Sequence, residues 1–172
     1  PRDLHPFPTR RSSDLSKTNP YKIVAKGDNE VELLIYGDIG ESWWGESVAA
    51  KDIVQQLQDI DAEYLTVRIN SFGGAVADGV AIYNAIKRHD AVVTVVIEGV
   101  AVPIASLIAM SGDTVEMGEN ALFMMHAPWM HTAGNSVELR KHADMLDKWS
   151  EAMRQGNSNK KVKPVDEKWA IL

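Results

Sequence analysis

From Tyr21 onward the chain alternates short β-branched runs with longer stretches whose apolar residues recur at helical spacing. Tyr21–Ala25 and Val31–Tyr36 flank a turn at Gly27-Asp28-Asn29 and predict a strand hairpin. Val48, Ile53, Val54, Leu57 and Ile60 then give one helix an apolar stripe, preceded by Trp43-Trp44 in a glycine-bounded loop. Tyr64–Ile69 predicts a strand, and Val76, Val80, Ile82, Tyr83 and Ile86 predict a helix ending near His89-Asp90. Ala91–Ile97 is a nearly unbroken β-branched run, the pattern of a parallel strand covered on both faces. A helix over Pro103–Met110 follows, then short strands at Thr114–Met117 and Ala121–Met125 that lead to His126. Asn135 with Glu138 three residues on forms a capping box for a long helix to about Gln155, broken by Gly156-Asn157-Ser158-Asn159. Another short helix begins within Val165–Leu172.

Repeated strand–helix–strand units predict right-handed crossovers around a mostly parallel sheet, hence the α/β class. Val92–Met110 is apolar for about the length of a membrane span, but Glu98 lies inside it and Gly99 and Pro103 interrupt it. The run therefore reads as a buried strand turning into a buried helix, and no membrane partner is expected. Residues 1–19 are different: Pro, Arg, Ser and Asp with isolated apolar residues, no initiating Met and no signal-peptide core. They are expected to be a disordered leader outside the domain, and residues 1–15 look like a translated cloning leader.

The 172 residues fit one domain, and 45% apolar content suffices for one core. Cysteine is absent, which removes disulfides, thiol nucleophiles and thiolate metal sites. A formal charge of −6 with scattered Lys and Arg offers no basic field, so nucleic acid is not an expected partner.

Three segments carry candidate chemistry. Asn70-Ser71-Phe72-Gly73-Gly74 ends a strand in a turn whose glycines let backbone N–H groups approach a carbonyl, although two glycines after a strand are often only a tight turn. Glu98-Gly99-Val100-Ala101-Val102-Pro103-Ile104-Ala105-Ser106 crosses from strand to helix, and a helix start favours developing negative charge. Met124-Met125-His126 sets a histidine, the side chain that titrates near neutral pH, after a strand. Together they describe an oxyanion cradle, a nucleophile turn and a base. His131 reads as a solvated loop residue, and with His126 it makes no zinc spacing, so no metal is expected.

Ile69-Asn70-Ser71-Phe72-Gly73-Gly74-Ala75-Val76 resembles the Asn-Ser-Pro-Gly-Gly turn of the Clp protease proteolytic subunit family, whose order the chain follows from about Val31 to Ala152. Gly99–Asp113 and Met124–Trp129 look most like the phage head-maturation (prohead) protease branch. The resemblance implies a Clp-protease/crotonase-like fold of repeated ββα units, with a mostly parallel sheet and a long C-terminal helix. It makes residues 20–172 a C-terminally truncated domain of this type. It also implies serine endopeptidase chemistry without a cofactor, with oxyanion-hole N–H groups from Gly74 and Ile104 and His126 as general base.

The family's Gly-x-Ala-Ala-Ser motif puts its serine on Pro103 and the preceding alanine on Val102. Proline has no hydroxyl, yet it is favoured at a helix start, so the helix can persist while the nucleophile is lost. Ser106, one turn deeper, is the alternative nucleophile; the other reading is a small core residue bonded to a backbone carbonyl. The family's triad aspartate falls just past Leu172; Asp144, Asp147 and Asp166 are the acids within the chain. The resemblance further implies a peptide or protein substrate, a homo-oligomeric ring, an ATPase or capsid-assembly partner, and the cytoplasm of a bacterial host, with a phage origin. Two alternatives stand beside an inactive peptidase: a non-catalytic structural or regulatory ring subunit, and a crotonase-type acyl-CoA enzyme, which lacks an evident catalytic glutamate near Pro103.

Overall fold

The computed structural model describes residues 21–27, 29–40, 47–158 and 163–164. The leader, Asp28, the Trp43-Trp44 loop, Asp166 and the helix expected within Val165–Leu172 lie outside the described residues.

Strand β1 (Tyr21–Ala25) pairs antiparallel with β2 (Glu30–Tyr36), the expected hairpin. Every other pairing of the sheet is parallel: β2 with β5 (Tyr64–Ser71), β5 with β6 (Val92–Ala101), β6 with β7 (Thr114–Met117), and β7 with β9 (Lys163–Pro164). A short β8 (Leu122–Phe123) pairs with the last two residues of β6. Two-residue strands β3 (Asp38–Ile39) and β4 (Ser47–Val48) form a separate parallel pair. The architecture is mixed α/β with a mostly parallel sheet and a C-terminal helix, as the resemblance implied.

Register explains the core. Leu33, Val67 and Val95 are cross-strand partners, as are Ile35, Ile69 and Ile97, and all six are fully buried. On this face lie α1 (Ala50–Gln58), α2 (Val76–Arg88) and α3 (Ile104–Ala109), each packed on its neighbour, with α3 against β5 and β6. Ile53 and Leu57 of α1, Ile82 and Ile86 of α2, and all six residues of α3 are buried. The helix expected from the stripe at Val48 to Ile60 is therefore shorter: Val48 belongs to β4, and Ile60 follows the helix end.

The opposite face of the sheet is not covered to the same degree, contrary to the expectation for Ala91–Ile97. Leu34, Thr66, Arg68, Thr94 and Val96 are half-buried there. Arg68 is hydrogen-bonded to both Glu32 and Glu98, and Lys26 reaches Glu32 at 3.0 Å. The polar residues that alternate along β5 mark a half-exposed face; the β-branched run in β6 hides the same period.

Helix α4 (Ser136–Ser158) starts at the expected capping box: Asn135 Oδ1 accepts the Val137 and Glu138 N–H groups at 3.0 and 3.1 Å, and Glu138 accepts the Asn135 N–H at 2.8 Å. It does not break at Gly156. A Cβ there would lie 2.3 Å from Leu107 Cδ1, so the glycine serves the close approach of α4 to α3. Met153 is buried in the core, whereas Val137 and Leu139 near the start of α4 are exposed.

Candidate active site

Strand β5 ends at Ser71, and the chain turns through Phe72-Gly73-Gly74 with φ of +95° and +144° at the two glycines. L-residues with a Cβ adopt that region reluctantly, and space forbids one as well. A Cβ on Gly73 would meet the Val102 carbonyl oxygen at 2.2 Å, and one on Gly74 would meet the Ile39 carbonyl oxygen at 2.0 Å. Ile39 N–H donates to the Gly73 carbonyl at 2.8 Å, and Ala75 N–H donates to the Ile39 carbonyl at 2.7 Å. Because both flanking residues bond Ile39, the N–H of Gly74 itself points to the other side, as in any parallel pairing. Buried Ser71 braces the turn, its hydroxyl accepting the Gly73 N–H at 3.1 Å and donating to the Gly37 carbonyl at 2.6 Å.

The second segment is tied to the first. Asn70 Oδ1 accepts the Val100 N–H at 3.2 Å across a register shift between Ile69 and Ser71, and Val102 N–H donates to the Ser71 carbonyl at 3.2 Å. This extends β6 to Ala101, beyond the strand end expected at Ile97. Pro103 follows with helical angles, φ −73° and ψ −34°, immediately before α3. Ser106 is fully buried; its hydroxyl donates to the Pro103 carbonyl.

β8 is shorter than the strand expected over Ala121–Met125, but Met124 N–H still donates to the Ala101 carbonyl at 3.1 Å and keeps the chain beside β6. His126 is exposed in the loop that follows, with Nδ1 2.8 Å from the Ala127 carbonyl oxygen. A carbonyl only accepts, so Nδ1 is the donor of this bond, and in the neutral imidazole Nε2 is then the nitrogen with the lone pair.

Gly74, Pro103, Ile104 and His126 line one cleft of about 330 Å³. Among the described residues its other walls are Phe72, Val76, Val102, Pro128, Trp129 and Met153, none of which carries a nucleophilic hydroxyl. Ser106 is not brought to this cleft. A second cavity of about 420 Å³ lies on the α4 side of His126, with Met125, Ala127, Ser150 and Arg154 in its wall. Ser150 donates its hydroxyl to the Leu146 carbonyl at 2.8 Å. Arg154 is held by Glu151 at 2.8 and 2.7 Å, and these bonds pull the Glu151 carboxyl down to about 2. Among the described residues neither cavity is lined by a carboxylate; Asp144 and Asp147 are exposed on α4. His131 stands edge-on to Trp129, ring centroids 5.0 Å apart.

Sequence reasoning missed Ser71 as a brace, Asn70 as the tie to Val100, and Met153 as a shared wall of both cavities. The inward phase of Ser71, two residues after Ile69 on β5, is the signal that could have found the first.

The Clp protease family matches residues 17–168. The chain also shares 30% identity over 141 residues with an ATP-dependent Clp protease proteolytic subunit of Ligilactobacillus salivarius (strain UCC118), covering 78% of this chain and 68% of that one. Subunits of the same description from Pleurastrum terricola, 30% identical over 112 residues, and Leuconostoc citreum (strain KM20), 29% over 108, each align with 62% of this chain. The chain spans 55% and 53% of those two proteins' lengths. It belongs to the Clp protease family, and this membership favours the peptidase reading over the acyl-CoA one.

Among the described residues, no helix is long and apolar enough to cross a membrane.

Proposed function

We propose that this chain is a Clp-type proteolytic subunit whose cleft receives a peptide without cutting it through an acyl-enzyme. The observation that carries this reading is the meeting of Gly74, Ile104 and His126 in one cleft with Pro103 at the nucleophile position. A peptide carbonyl set between Pro103 and the Gly73-Gly74 turn would direct its oxygen at the Gly74 and Ile104 N–H groups, where donors stabilise an oxyanion. His126, its tautomer fixed by Ala127, is the base. The covalent step needs an oxygen that proline does not supply. The chain then serves as a non-catalytic member of a ring of like subunits, with the exposed start of α4 offering apolar surface for self-association. A role in phage head maturation, an ATPase or capsid-assembly partner and a cytoplasmic setting are the finer parts of the same proposal, supported by the likeness of Gly99–Asp113 to that branch.

The test is a fluorogenic peptide and a fluorophosphonate label applied to the chain as it stands, to Pro103→Ser, and to Pro103→Ser with a C-terminal extension from a relative. Neither turnover nor labelling is expected of the unmodified chain, and Pro103→Ser alone recovers little because the members of a triad act as a unit. Labelling of the unmodified chain that disappears in Ser106→Ala would overturn the assignment.

A further inference from the structure

We infer that the cavity on the α4 side of His126 is a subsite for an acidic peptide side chain, selected by Arg154. This rests on the reading of the cleft as a peptide-binding site and names the class of peptide that it takes.

The two cavities adjoin. His126, Pro128 and Met153 line both, so a peptide whose carbonyl lies in the cleft can turn an adjacent side chain into the second cavity, which at about 420 Å³ is of ligand-pocket size. Met125, Ala127, Pro128 and Met153 give that cavity apolar walls, and Arg154 is the charged side chain set among them. Ser150 lines it too, but its hydroxyl proton is already given to the Leu146 carbonyl at 2.8 Å. A short methylene stem ending in a carboxylate matches such a lining: the stem packs on methionine and proline carbons, and the carboxylate meets a guanidinium.

Arg154 is oriented for this before anything binds. Its Nε and Nη2 donate to Glu151 at 2.8 and 2.7 Å, and Gln155 Nε2 donates to the same carboxylate at 2.7 Å. Glu151 thus holds the guanidinium side-on and leaves open the edge formed by Nη1 and the second N–H of Nη2; among the described residues nothing is bonded to Nη1. That edge is a ready fork for a second carboxylate, and a side chain already fixed loses less freedom on binding. Glu151 repels the newcomer, but across the guanidinium rather than in contact with it, and Coulomb energy falls with distance. An exposed pair of this kind contributes little to the fold, so sharing Arg154 with a ligand costs the protein little. The net charge of −6 works against acidic ligands in general; a preference for them therefore reports a local cation.

The experiment is fluorescence anisotropy with the full chain and four labelled, C-terminally amidated peptides. They are alike except for one residue, Glu, Gln, Leu or Lys, set between alanines, so the Glu side chain carries the sole carboxylate. Glu is expected to bind about tenfold tighter than Gln, because a carboxylate on arginine exceeds a neutral amide there, and the gap should narrow as salt is raised. Arg154→Gln should bring Glu down to Gln and leave Leu nearly unchanged; Arg154→Glu should reverse the order, with Lys above Glu. Arg140→Gln, at another exposed arginine of α4, should match the parent chain, and circular dichroism checks that the variants fold. An acid preference that survives Arg154→Gln, or that is lost equally in Arg140→Gln, overturns the assignment. Equal binding of all four peptides refutes this inference and leaves the proposed function standing; absence of binding by any of them refutes the two together.

Discussion

Replacing Gly74 by alanine isolates the feature on which the cleft depends. At φ +144° an added Cβ is strained in itself, and it would sit 2.0 Å from the Ile39 carbonyl oxygen and 2.8 Å from the Ile39 nitrogen. Those are backbone atoms, so relief requires the turn to move away from β3. The movement sacrifices two hydrogen bonds, Ile39 N–H to Gly73 and Ala75 N–H to Ile39. At about 1 kcal/mol net each, plus roughly 1–2 kcal/mol for the left-handed backbone, the substitution should cost about 3–4 kcal/mol. For a domain of this size each kcal/mol lowers Tm by about 2–4 °C, so a fall on the order of 10 °C is expected. Urea unfolding read by tryptophan fluorescence supplies the free energy, and an unchanged m value assures that the same surface is exposed. Gly27→Ala is the control: nothing lies within 4 Å of its added Cβ, and its effect should stay within about 0.5 kcal/mol. A Gly74→Ala loss below about 1 kcal/mol would refute the close approach to Ile39, and with it the direction assigned to the Gly74 N–H.

Ser106→Ala removes a hydroxyl that is buried against the Pro103 carbonyl and outside the cleft; it should cost about 1 kcal/mol in urea unfolding. Ile82→Ala empties a fully buried position where α2 faces the core and should cost roughly 2–5 kcal/mol in the same measurement. The Glu32 carboxyl is held below its ordinary value of 4.5, first by its hydrogen bond from Arg68 and then by Lys26, against an opposing effect of burial. A depressed carboxyl contributes its stability above the unfolded value and loses it as pH falls below about 4.5 toward the folded one. Glu32→Gln should therefore flatten the acid limb of the stability–pH curve below that point, and an unchanged limb would refute the pairing.

Much of the scaffold was legible because its physics is local. The hairpin, β5, α2 and the capping box at Asn135 are written as period and cap, which sequence carries directly. Segments whose meaning depends on a distant neighbour were read less well. Gly156 looked like a helix break because glycine alone signals one; Leu107, far away in the chain, makes it a packing residue instead. The β-branched run before Glu98 suggested two covered faces, but Arg68 on the next strand and its carboxylate partners decide how that side is finished. The site divides in the same way. Gly73-Gly74, Pro103 and His126 could be named from their motifs, and the proposed loss of the nucleophile rests on the identity of residue 103 in the sequence. That the first two segments are clamped by Ser71 and Asn70, that Ser106 turns inward, and that a backbone carbonyl orients His126 are results of tertiary structure. Each depends on contacts made when β5, β6 and the loop after β8 meet, and hydrophobic periodicity records which side of an element is buried without recording which polar atoms it brings together.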